Sequence, residues 1–338
     1  PEVDVVAIKT FRAFGLEISN CKGINLHSLA QIRAQSKHFT VSNCTVTAGE
    51  GGINYYGPAD AVITGLTVDA ADYGIRAGQS TGTVNTSTLT ISDSELNAKY
   101  PIWLRGDAPG TVIITDSTLT ASEGGEKIRN DAVGVNVLED PTVYNESLKA
   151  YYMTIQDAID GYENAENGDY TIIIKDGTYN EDGIVIKQQV GKSLTIKSES
   201  EHGAILVNDS SVDSTGIFHV SGGSNYDTGA VTFEGIRFEL PAGDEVNCFG
   251  IKLLSGTEDR YASNVTVRNC EFIGNVEKSC AVWSGAGSQP KNILIEGCKG
   301  DGLTALYNGY GNGITIKNSQ LTNARGLLNS QSTESANE

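Results

Sequence analysis

LTISDS at 89–94 and VIITDS at 112–117 decide the fold. In each, apolar residues recur at every second position, a Ser or Thr follows the last apolar residue, and an Asp turns the chain. Alternation at period two is the pattern of a strand with one buried face. The same unit recurs as LEISNC (16–21), FTVSNC (39–44), VITGL (62–66), VTFEGI (231–236), VTVRNC (265–270), ILIEGC (293–298) and ITIKNS (314–319). The corner residues are Asn20, Asn43, Gly65, Asp93, Asp116, Gly235, Asn269, Gly297 and Asn318. All are Asn, Asp or Gly, which tolerate a left-handed backbone best. A strand that always ends in such a corner is one side of a repeating coil.

Anchors Ile18, Val41, Ile63, Ile91 and Ile114 are spaced by 23, 22, 28 and 23 residues. Phe233, Val267, Ile295 and Ile316 are spaced by 34, 28 and 21. A short period with irregular insertions marks a solenoid whose insertions are loops. A second ladder follows the first: GINLHS (23–28), GINYY (52–56), GIRAG (74–78), PIWLR (101–105), GIKLL (250–254), AVWSG (281–285) and ALYNG (305–309). Two ladders and a short strand after the corner make three strands per turn. The predicted fold is all-β: a right-handed parallel β-helix, with two β-helix units in tandem. The coils resemble those of the pectin-lyase-like superfamily.

The first ladder stops after Leu119, and residues 122–150 break the period with charge, Gly and Pro. Then Ile155, Ala158, Ile159 and Tyr162 fall at helical spacing, with Thr154 placed as N-cap. An amphipathic helix here meets the need of a β-helix to cover its open apolar end. The expected boundaries are 1–125 for one unit, the end of a longer solenoid, 126–150 for a linker, and 151–330 for a second unit opening with a capping helix. The stretch 152–207, with TIQDAID and IIIKDGTY, resembles the N-terminus of pectin methylesterases. The family's later carboxylate motifs do not occur, so the resemblance implies cap and fold but not esterase activity. The same opening is common in bacterial surface proteins that string β-helix units together. The chain therefore reads as part of a larger multidomain protein, with 329–338 as a polar tail.

The formal net charge is −18, from 24 Lys and Arg against 42 Asp and Glu. That balance argues against nucleic acid and anionic membrane as partners. It also weakens the case for long polyuronates, although a local basic groove can override it. No apolar run approaches the ~20 residues of a membrane-spanning helix. The composition, with 39 Gly and a single Met, suits a turn-rich secreted chain, extracellular or on a bacterial cell surface. Cys21 and Cys44 share one ladder position, and Cys270 and Cys298 another. Coils ~4.8 Å apart stack each pair as core thiols, without metal.

Strict alternation along the second ladder places Tyr56, Arg76, Trp103, Arg105, Lys252, Trp283 and Tyr307 outward, with Asn25, His27 and Asn54. Both tryptophans of the chain fall in this set. Exposed rings stack on the apolar faces of sugars, so these residues are the candidate ligand-binding set. Trp283 and Tyr307 are expected to form one aromatic platform. Polygalacturonase-type carboxylate motifs are missing. A lyase-type site needs acidic calcium ligands beside a basic residue. Asp60, Asp69 and Asp72, with Arg76 and Arg105, are the catalytic candidates, and calcium enters only on that reading. Arg105-Gly106-Asp107 spells an integrin-binding tripeptide. Asn43, Asn85, Asn145, Asn208 and Asn264 begin N-x-S/T sequons, which corner Asn residues generate automatically. The expected function is a non-catalytic, adhesin-like surface protein that binds a glycan or another host or cell-surface ligand. The alternative is a polysaccharide lyase or glycoside hydrolase acting in the same groove.

Overall fold

The structure is a computed structural model that describes residues 6–10, 15–33, 38–208, 212–222, 228–240, 246–254, 261–285 and 289–330. Residues 1–5, and the tail from 331 onward, lie outside the described residues. The described residues form a parallel β-helix of about 12 turns with a single helix. It divides into two compact units, Pro1–Pro141 and Thr142–Glu338.

In unit 1 the first-ladder strands Leu16–Ser19, His38–Ser42, Asp60–Thr64, Asn85–Ser92, Pro109–Thr115 and Asn136–Glu139 form one six-stranded sheet. Its register stacks Ile18, Val41, Ile63, Ile91 and Ile114 in one column. The other face of the unit is a nine-stranded sheet holding the after-corner and second-ladder strands. They merge because Lys22–Arg33 and Thr45–Tyr56 each run through both without a break. In unit 2 three separate sheets line the coil, and Phe233, Val267, Ile295 and Ile316 again share one column.

All nine corner residues have a left-handed backbone, with φ between 48° and 64°. Each corner amide can then reach the next coil: the Asn43 N–H donates to the Thr64 carbonyl at 3.0 Å, and the Gly65 N–H to the Ser92 carbonyl at 3.0 Å. A β-branched residue at such a corner clashes with its own backbone. The next position explains the cysteines. Cys44, Ser94, Ser117, Cys270, Cys298 and Ser319 each donate to the carbonyl two residues back. Cys44 also accepts the Cys21 N–H at 3.4 Å, as Ser319 accepts the Cys298 N–H at 3.1 Å. A thiol here stands in for a small hydroxyl, and all six cysteines are free.

The segment expected to be a linker is structured. Ile128–Asn130 and Asn136–Glu139 add a further coil to unit 1, with Asp140 (φ 45°) as its corner. Val143–Asn145 and Ala150–Tyr152 pair antiparallel at the start of unit 2, against Gly168–Ile174. Charge and Gly masked this coil because its strands are only three or four residues long. Beyond it, α1 (Ile155–Asn164) buries Ile155, Ala158, Ile159 and Tyr162. The Thr154 side chain accepts the Asp157 N–H at 3.1 Å, and Glu181 accepts the Ile155 N–H. At the other end the buried Lys192 ammonium donates to the carbonyls of Tyr162 and Glu163, which complements the helix dipole. No helix of the described residues is long and apolar enough to cross a membrane.

Candidate functional site

The second-ladder strands share one burial rhythm. Tyr73–Ala77 and Ala305–Gly309 each begin with three buried residues, and only the fourth turns outward. In unit 2 the outward column is therefore His219, Lys252, Trp283, Asn308 and Asn329. Tyr307 was expected in this column. It points inward instead, paired in register with Val282 and fully buried. Its hydroxyl donates to the Tyr310 carbonyl at 2.5 Å and meets the Ser284 hydroxyl at 2.9 Å. Burial pushes its pKa up to about 12. Three consecutive apolar residues at 305–307 hid the frame, so strict alternation from Leu306 slipped by one.

Trp283 has a different ring partner from the one expected. Phe249, on the preceding coil, lies parallel to it with centroids 4.8 Å apart and planes 1° apart. Lys252 sits 5.3 Å from the Trp283 ring, and its ammonium donates to the Ser214 carbonyl at 2.7 Å. Burial lowers the Lys252 pKa. His219 accepts the Gly216 N–H at 3.1 Å, and burial and then Lys252 lower its pKa. On the far side of Trp283 the register partner is Asn308, whose side-chain oxygen accepts from the Asn329 amide at 2.9 Å. The column thus runs from an imidazole and an ammonium, through a ring pair, to a ladder of amides.

In unit 1 the corresponding column is Gln31, Asn54, Arg76, Trp103 and Arg129, in which Asn54, expected outward, is buried. GINLHS was expected to supply its first coil, but residues 28–33 do so, with Ala30 beside Ile53 and Ile32 beside Tyr55. Ile24, expected inward, is 59% exposed, and Asn25 has φ 55°. His27 reaches Glu50 from this earlier segment. The register partners of Trp103 are Arg76 and Arg129, so guanidiniums flank the indole along the axis, 5.7 and 4.6 Å from the ring. Arg105 is 5.0 Å from the same ring. Arg76 also lies 4.1 Å from the Tyr73 ring and pairs with Glu50 at 3.4 Å. Asp131 accepts the Trp103 indole N–H at 2.7 Å and pairs with Arg129 at 3.0 Å. These contacts, the indole first, hold its carboxyl below the usual range. Tyr56 lies under Arg33, 5.6 Å from ring to guanidinium.

The acidic candidates do not converge. Asp60 stands on the first-ladder sheet, where its carboxylate accepts the Thr88 N–H at 2.8 Å. Asp69 is exposed in the after-corner strand Thr67–Ala70, between Thr47 and Asn97. Asp72 precedes Tyr73, with its backbone bonded to Glu50 and Tyr100. These three carboxylates do not fit a calcium site, and no group of three or more His, Cys, Asp or Glu among the described residues is placed to hold a metal. A 310 Å³ concavity lined by Lys197, Ser198, Glu201, Glu234, Gly235 and Asn269 lies off the second-ladder face. Its Glu234 is paired with Arg268 at 2.8 Å.

The Arg105-Gly106-Asp107 loop is bound to its neighbour: the Asp107 carboxylate accepts from both the backbone and side-chain amides of Gln79. The sequon Asn85, Asn208 and Asn264 amides donate to backbone carbonyls, and Asn145 is buried. Sequence reading missed Phe249, Asn308, Asn329, Arg129 and Asp131. Arg129 was within reach, since Ile75, Ile102 and Ile128 recur at 27 and 26 residues.

No protein-family model matches the chain, and no curated protein matches it. Among solved structures it is similar to a PL6-family alginate lyase, AlyGC. A mutant of that lyase aligns at 12% identity and a TM-score of 0.34, over 90% of this chain and 60% of that one. A second AlyGC structure aligns at 14% identity and a TM-score of 0.30, over 95% and 65%. The chain thus spans less than two thirds of the lyase's length.

Proposed function

We propose that this is a non-catalytic, adhesin-like β-helix protein, extracellular or on a bacterial cell surface, that binds carbohydrate through the outward second-ladder column of unit 2. One observation carries the reading: Trp283, backed by Phe249, stands next to the Asn308–Asn329 amide ladder. A pyranose has a C–H face and a rim of hydroxyls. The C–H face packs on an indole, and the hydroxyls exchange hydrogen bonds with side-chain amides. Phe249 fixes the ring plane, so little side-chain freedom is lost on binding. Such a site needs no acid, base or metal. Its individual contacts are modest, so one site binds weakly and repeated units of a larger chain supply avidity.

A glycan array, run beside a polysaccharide-degradation screen on the same sample, tests this. The expected result is a glycan hit without chain cleavage. Trp283→Ala abolishes the hit and leaves the circular-dichroism spectrum in place. Cleavage of any polysaccharide establishes the lyase or hydrolase reading in its stead.

A further inference from the structure

We infer that the outward face of unit 1 selects glycans bearing an anionic group, a carboxylate or a sulfate. The inference rests on the carbohydrate-binding reading and adds a second site with its own ligand class. All four described arginines of unit 1, Arg33, Arg76, Arg105 and Arg129, lie on this one face. Their rings are Tyr56, Tyr73, Tyr100 and Trp103, each within 6 Å of a guanidinium. Stacking on a ring holds a guanidinium flat and leaves its edge, which carries the N–H fork, directed away from the ring.

The face already displays this chemistry with the protein's own carboxylates. Glu50 is held between His27 and Arg76. Asp131 is held by the Trp103 indole N–H and by Arg129. Glu50 engages Arg76 and Asp131 engages Arg129, which leaves the Arg105 guanidinium as cationic capacity on this face. Arg105 has no ion-pair partner among the described residues, and Lys99 stands beside Tyr100, 5.3 Å from its ring. The Arg76 Nε–H is buried and has no hydrogen-bond acceptor among the described residues. A planar fork meets carboxylate and sulfate oxygens two at a time, which a lone ammonium does not. The overall charge of −18 repels a dense polyanion at long range. That disfavours nucleic acid and leaves short-range recognition of sparsely charged sugars.

The test titrates the full chain by calorimetry with three matched oligosaccharides. These are a chondroitin sulfate, its desulfated form, which keeps the carboxylates, and a carboxyl-reduced desulfated form, which is neutral. The expected result is that at least one charged form binds about tenfold or more tighter than the neutral one, a difference of one charge-assisted contact. The sulfated and desulfated arms tell sulfate from carboxylate. Raising the salt erodes the preference in the unmodified protein, with no substitution needed. Arg105→Gln removes most of it, Arg105→Lys removes part, and Trp283→Ala leaves it. Equal affinity for all three forms, or a preference that survives both high salt and Arg105→Gln, overturns the inference while leaving carbohydrate binding intact. Binding of no glycan at all overturns both.

Discussion

The two units present their outward second-ladder columns in opposite ways. In unit 1 the ring of Trp103 has an arginine as register partner on each neighbouring coil, Arg76 and Arg129. In unit 2 the ring of Trp283 stacks on Phe249 on one side, where its register partner is Lys252, and has the short Asn308 as register partner on the other. Coils ~4.8 Å apart bring flat side chains face to face along the axis. Whether a ring face remains for a ligand is therefore decided by the residue one coil away. The same tryptophan is a spacer between cations in one unit and the end of a ring stack in the other.

The inward and outward frames of this column separate most sharply at Trp283 and Tyr307. Tyr307→Ala should destabilise unit 2 by about 3–5 kcal/mol, as expected for a buried aromatic, because it opens a cavity and removes the bonds of its hydroxyl to Ser284 and the Tyr310 carbonyl. Trp283→Ala should cost only about 1 kcal/mol, the worth of its ring stack. Urea melts of the two variants check this, and equal losses would return Tyr307 to the surface. Next in size is Arg129→Ala. It uncovers one side of Trp103 and should cost little stability, since the cation–π contact is exposed to solvent. The clearer readout is acrylamide quenching in a Trp283→Phe background, where Trp103 is the chain's one remaining tryptophan. Quenching should rise, while Arg268→Ala, on another sheet, should leave it unchanged.

The corners, the anchor columns and the capping helix were all legible in the sequence, because each rests on a local rule. A corner at Asn269 or Gly297 needs a left-handed backbone whatever surrounds it. An anchor such as Val267 obeys a period of two. The outward column was only half legible. Arg76, Lys252 and Trp283 followed from alternation, and Tyr307 did not, because three successive buried residues after a corner break it. Pairings between coils, such as Phe249 with Trp283 or Trp103 with Asp131, link residues 34 and 28 apart across loops of irregular length. No local pattern fixes that offset. The extra coil at 128–140 was missed for the same reason, since its three-residue and four-residue strands are too short to show a period.

A pH titration sharpens the comparison further. Asp131 is held below the usual carboxylate value by Trp103 and Arg129. Its bond to the indole should persist as pH falls through the ordinary Asp range and break only below it. The stabilisation it contributes is present above the unfolded-state pKa and lost as pH falls through the lower folded-state value. Trp103 emission, in the Trp283→Phe background, should therefore shift below pH 3.8, while Trp283 emission in Trp103→Phe stays flat there. A Trp103 transition at or above the ordinary value would remove the Asp131 contact. The smallest effect concerns the after-corner column. Cys270→Ser should change stability by less than about 1 kcal/mol, because Ser94 and Ser117 make the same bond in unit 1. Cys270→Val, which lacks the donor, should cost more in the same melt.

The most direct measurement titrates the Trp103→Phe variant with a neutral oligosaccharide identified on the array and follows emission from Trp283. Carbohydrate binding at the Trp283–Asn308 column predicts a saturable shift whose midpoint matches calorimetry, and a calorimetric signal that disappears in Trp283→Ala. Saturable binding by calorimetry with silent Trp283 emission, undiminished in Trp283→Ala, would contradict it.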